Sequence, residues 1–192
     1  MKNKKFLALD LELNQPSNRI IQVGVAIGSA MQSEEEYVVK KWYLDPYEPI
    51  AANIVQLTGI TDYDIGTYAV SHEYMAQELG ELITEHDCFV NPVTWGGGDS
   101  VELLAEIRDR NIHFPHFGRR WIDVKTFYTY IMLSRGKNPA GGLSSAMGGF
   151  KLPFKGTAHR ADVDALNTLR FFFRLLERQE SFEAIGALAK GV

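Results

Sequence analysis

Cysteine is nearly missing from this chain of 192 residues: Cys88 stands alone. A lone cysteine excludes an internal disulfide framework, and no Cys/His spacing suits a structural zinc site. No run of 18 apolar residues occurs, so no membrane span is expected. The lysine-rich start is interrupted by Asp10 and Glu12 too early for a secretory leader. These absences predict a cytoplasmic protein in a reducing compartment. Basic excess is missing too: 20 Lys and Arg face 24 Asp and Glu, for a formal net charge of −4. A protein that coats duplex nucleic acid is usually basic. Any nucleic-acid role is therefore expected to be local and short.

What is present suits one globular domain over residues 1–192: 45% apolar and 23% charged residues, with no repeat or low-complexity linker. "FLALDLELN" alternates like a strand from Phe6, and "RIIQVGVAIG" (Arg19 to Gly28) and "EEYVVKKWYL" (Glu35 to Leu44) follow as two more. Ala51 to Leu57 reads as a short helix. Ser71 to His86 reads as an amphipathic helix capped by Ser71. "CFVNPVTW" (Cys88 to Trp95) and "RRWIDV" (Arg119 to Val124) read as later strands. Helices are expected to open near Asp99, after Asp123, over "LSSAMGGF" and from Arg160 to Glu180. A meander followed by alternating strands and helices predicts an α/β fold with a mixed sheet.

Within the first strand, Asp10 and Glu12 fall on one face, roughly 6.5 to 7 Å apart. Two like charges held so close on an apolar strand repel each other. Other acids stand at the ends of elements. Asp99 follows three glycines, where a helix cap is the simpler reading and a carboxylate presented at a strand end is the functional one. Asp123 reads as a cap. Asp45 and Glu48, among prolines, read as a surface turn. Asp164 lies near the apolar face of the last helix, five residues after His159. His72, His86, His113 and His116 read as solvent-facing. Lys40, Lys41, Arg119, Arg120, Lys151, Lys155 and Arg160 are candidates for phosphate contact, or a solvated surface.

Taken in order, "DLE", the Asp of "VTWGGGD" and "HRADVD" resemble the DEDDh family of 3′–5′ exonucleases, and "LTGITDYDI" (Leu57 to Ile65) adds to the likeness. "VTWGGGD" is similar to its Eri1-like and KapD-like branch. The resemblance implies an RNase H-like fold, a mixed five-stranded sheet flanked by helices. It implies two divalent cations, Mg2+ or Mn2+, held by Asp10, Glu12, Asp99 and Asp164, with Asp10 bridging and His159 as general base. It also implies a substrate: the 3′ end of single-stranded RNA, with DNA second, shortened to nucleoside 5′-monophosphates. Leu13 and Asn14 would meet the terminal nucleotide, Asn14 bonding a ribose hydroxyl or else only steadying the turn. Asn14 and Gly98 depart from the family pattern, which favours Thr and a bulky residue there. The rival readings are a catalytically inactive nucleic-acid or partner-binding module of the same fold, a phosphodiesterase acting on small nucleotides, and a carboxylate-rich calcium-binding protein.

Overall fold

Alternation of side chains builds three long strands, β1 (Phe6–Leu13), β2 (Ile20–Gly28) and β3 (Val38–Leu44), paired antiparallel in a meander. The structure is a computed structural model. It describes residues 3–114, 117–118, 120–139 and 141–189, the last ten by backbone alone. In the ladder Asp10 faces Gly24, Glu12 faces Gln22, and Gln22 faces Tyr43. These pairs put Ala8, Asp10, Glu12, Gln22, Gly24 and Ala26 on one face of the sheet. Leu7, Leu9, Leu11, Val23 and Val25 occupy the other.

After β3 come α1 (Ala52–Thr58), α2 (Asp62–Tyr68), a two-residue strand β4 (Ala69–Val70) and α3 (His72–Glu85). Then follow β5 (Val93–Thr94), α4 (Gly98–Asp109), β6 (Ile122–Asp123), α5 (Val124–Ser134), α6 (Leu143–Gly149) and α7 (Ala161–Ala189). The sheet order is β4-β3-β2-β1-β5-β6, with β4, β5 and β6 each parallel to its inner neighbour. The leucine- and valine-rich face packs on Met75 and Leu79 of α3 and Leu103 and Ile107 of α4. The opposite face packs on Leu169, Phe171, Phe172 and Leu175 of α7, with α5 and α6 behind.

The mixed sheet and flanking helices agree with the expected fold, with one strand more than the five foreseen. The addition, β4, is too short for any periodicity to reveal. The expected strands over Cys88–Trp95 and Arg119–Val124 contract to two residues each; Arg119 lies outside the described residues. The helix α2 lay unread within "LTGITDYDI". It starts at Thr61, whose hydroxyl accepts from the Asp64 amide while Asp64 accepts from the Thr61 amide. Reciprocal caps of this kind satisfy two orphan amides at once.

His72 corrects the expectation of a solvent-facing histidine. It is buried, and its Nε2 lies 2.9 Å from Glu106. Glu106 also accepts from Arg110 and from the Ile20 amide, so one buried carboxylate ties α3 and α4 to the start of β2. His113 is exposed as expected, and His116 lies outside the described residues. No helix among the described residues is long and apolar enough to cross a membrane.

Candidate active site

Small residues determine where α7 meets the sheet. A Cβ on Gly24 would fall 2.0 Å from the Ala161 carbonyl carbon, so only glycine admits the first turn of α7 at that depth. The Ala161 amide donates to Gln22 Oε1 at 2.8 Å and fixes the contact. Gly24 sits across the ladder from Asp10, so the first turn of α7 is delivered to the acids of β1.

Asp164 rides on that turn. Carboxylate oxygens of Asp10, Glu12 and Asp164 come within 4.8 Å of one another. They line a cleft of about 670 Å³ with Trp95, Phe154, Ser144 and His159. The Trp95 ring packs 5.9 Å from Tyr128 and from Phe171, so it is at once core and cleft wall. Asp99 stands outside the trio. The helix cap expected of it belongs instead to Gly97, and α4 already begins at Gly98. With that role gone, the Asp99 charge bears on Asp10, Glu12 and Leu11. Asp123 does cap its helix, accepting from the Thr126 amide, and it also accepts from the Gly96 amide below the Asp99 loop.

His159 has a left-handed backbone, φ 62°, which few residues with a Cβ adopt. Its amide donates to Asp164 Oδ2 at 2.7 Å. The same carboxylate that joins Asp10 and Glu12 therefore holds the histidine's backbone at the cleft edge. The preceding loop is anchored through Asn167, whose amide group bonds both the N–H and the carbonyl of Lys155.

The acids resist ionisation. Asp10 is held well above the usual carboxylate range by burial, then by Asp99, Asp164 and Glu12. Glu12 is pushed up to about 8 by burial, with Asp164 and Asp99 adding and Arg160 opposing. Asp99 rises to about 6 through burial, against the pull of its own amide and that of Leu11. Asp164 is raised by burial, with the His159 amide working the other way. Among the described residues no lysine or arginine forms an ion pair with any of the four. Such a set fits divalent cations, which favour oxygen donors and reverse the repulsion.

Asn14, expected to meet a ribose hydroxyl or to steady the turn, is engaged within the protein. It is buried, its amide nitrogen donates to Glu48 and Pro49, and its oxygen accepts from the Ala51 amide. Both amide hydrogens are taken within the protein. Steadying the turn, the other role open to it, is the one its bonds perform. Glu48 also accepts from Ser17, so the "DPYEP" turn is tied to the β1–β2 loop. Leu13 ends β1 beyond a register shift that follows Glu12. Gly24 and Gln22 went unread in the sequence. An alternating strand conceals which of its residues faces a helix end.

A family model described as exonuclease matches residues 7–172. The nuclease domain of 3′hExo, a DEDDh family member bound to rAMP, superposes with a TM-score of 0.78 at 17% identity, over 92% of this chain and 93% of that one. A 3′-exonuclease described for 3′-end specific recognition of a histone mRNA stem-loop gives 0.77 at 16% identity, over 92% of this chain and 64% of that one. The zinc-bound complex of E. coli exonuclease I with single-stranded DNA gives 0.70 at 20% identity, over 93% of this chain and 42% of that one. Comparison of the sequence with curated proteins gives no match.

Proposed function

The chain belongs to the exonuclease family and carries the five residues of the DEDDh pattern, and on that premise we propose that it shortens single-stranded RNA from the 3′ end, with DNA a slower substrate. The observation that carries this reading is the convergence of Asp10, Glu12 and Asp164 within 4.8 Å at the edge of a cleft that His159 also lines. RNA as the preferred strand is supported by relatives described with rAMP and with a histone mRNA stem-loop, and DNA as the second by exonuclease I. The lone Cys88, its thiol pushed up to about 11 by burial, suits the cytoplasm.

Asp10, Glu12 and Asp164, with Asp99 beside them, would hold two divalent cations, Mg2+ or Mn2+. These supply a more acidic water and positive charge against the phosphodiester oxygens. Asp10 would be shared by the two cations, because an inner strand holds it beside Glu12. His159 accepts the proton of the attacking water on a ring nitrogen. The bond from phosphorus to the 3′ oxygen breaks, yielding a nucleoside 5′-monophosphate and a strand one nucleotide shorter. Trp95 and Phe154 give the terminal base an apolar wall.

The test uses matched 5′-labelled RNA and DNA oligonucleotides and an RNA with one 2′-deoxy residue at its 3′ end, with Mg2+ or Mn2+. Stepwise 3′ shortening, fastest on RNA, is expected. Shortening from the 5′ end, or cleavage of a circular strand, overturns the reading. Equal rates on all three strands remove the RNA preference alone.

A further inference from the structure

Arg160 follows His159 and opens α7; the Val163 and Asp164 amides both donate to its carbonyl at 2.9 Å. One terminal nitrogen of its guanidinium donates to the Tyr43 hydroxyl at 2.7 Å. Two other inward-facing arginines behave differently. Arg110 is committed to Glu106, and Arg170 to Glu34. Arg160 forms no ion pair with a carboxylate among the described residues. Yet its charge is felt at Glu12, and at Asp64, whose carboxylate is lowered first by Thr61. A half-buried guanidinium with one bond to a phenol and none to an acid is poised for an anion from outside.

Its place says which anion. Tyr43 ends the cross-strand row Glu12–Gln22–Tyr43, so the guanidinium lies beside the cleft on its β3 side. Next along the surface stands Tyr68 at the end of α2, its ring centroid 6.2 Å from that of Tyr43 and its side chain 57% exposed. Lys41, on the same strand as Tyr43, is already paired with Asp162. Two divalent cations would balance four carboxylates, leaving the next phosphate of a bound strand for Arg160. A planar guanidinium suits phosphate oxygens, and an exposed tyrosine suits a base face.

We propose that Arg160 and Tyr68 form a subsite for the penultimate nucleotide of a single strand, Arg160 taking the phosphate on its 5′ side and Tyr68 stacking on its base. Tyr43 is a positioning residue that holds the guanidinium. The subsite rests on the exonuclease reading above.

The test compares a trinucleotide, which reaches the subsite, with a nucleoside 5′-(p-nitrophenyl phosphate), which does not. Arg160→Gln and Tyr68→Ala are each expected to lose about tenfold in kcat/KM on the trinucleotide relative to their own rate on the ester. Arg160→Gln also flattens the salt dependence of trinucleotide binding. Tyr43→Phe shows a smaller loss in the same direction. Equal losses on both substrates, or none on the trinucleotide, overturn the subsite. Tyr68 is exposed, so its variant carries the test if Arg160→Gln fails to fold. If the native protein hydrolyses neither substrate, the exonuclease reading falls. Fluorescence anisotropy of a 5′-labelled trinucleotide then decides the subsite alone: weaker binding to Arg160→Gln supports it, and equal binding overturns it.

Discussion

Gly24 and Asp10 are cross-strand partners. The space left by the glycine's missing side chain holds the Ala161–Asp162 backbone at the start of α7, the helix that carries Asp164.

Gly24→Ala therefore tests the architecture of the site. The added Cβ would meet backbone atoms of Ala161 and Asp162 at 2.0 to 2.3 Å, with no flexible side chain to yield. Urea denaturation should show a loss of about 1–3 kcal/mol. Turnover should fall further than stability, since α7 is displaced from β1. Native turnover in this variant would show that the close approach does not set the site.

Asp10→Asn removes the proposed bridging carboxylate. Hydrolysis should stop, while the metal-free protein is as stable as before or more so, because a repelling charge is gone. Mn2+ should raise the melting temperature of the native protein and hardly that of the variant, since a ligand stabilises only the state that binds it. Activity in the variant, or in excess EDTA, contradicts a cation-dependent site.

For His159→Ala the expected loss of turnover is about 10²- to 10⁴-fold. The shift in melting temperature on adding Mn2+ should persist, because the imidazole is assigned a proton and not a cation. Loss of that shift would make His159 a ligand instead.

Stability of the metal-free protein should fall as pH rises. Glu12 moves from an ordinary value of 4.5 to about 8, and Asp99 from 3.8 to about 6. A carboxyl raised on folding favours the folded state below its unfolded value and loses that advantage as pH passes its folded value. Glu106, held low chiefly by His72 and the Ile20 amide against its burial, acts oppositely and matters only in acid. Thermal melts in EDTA from about pH 5 to 8 check the sign, and Glu12→Gln should flatten the slope.

Asn14→Ala separates turn from substrate. Removing the amide leaves the Ala51 N–H and the Pro49 carbonyl without their partner, at a cost of about 1–3 kcal/mol. The ratio of rates on RNA and DNA should stay at its native value. A changed ratio would return Asn14 to the substrate.

The strands that alternate over many residues, β1 to β3, were legible, as were Asp10 and Glu12 on one face. Side-chain period states this directly. Of the strands of two residues, β5 and β6 were read but too long and β4 was missed, because such short strands are defined by what they lie beside. Asp99 read alone as a cap, and only the actual start of α4 at Gly98 removes that role. His72 misled because a polar residue at a helix start looks solvated until the partner that buries it, Glu106, arrives from far along the chain; for Asn14 the turn role was legible and the partner Glu48 was not.

Asp164 takes the His159 amide with the carboxylate that also faces Asp10 and Glu12. In evolutionary terms this makes the histidine and the acid a single heritable unit. A lineage that replaced Asp164 with another ligand would at the same stroke release the left-handed turn that places its histidine. Drift toward an inactive descendant should then be abrupt at this position.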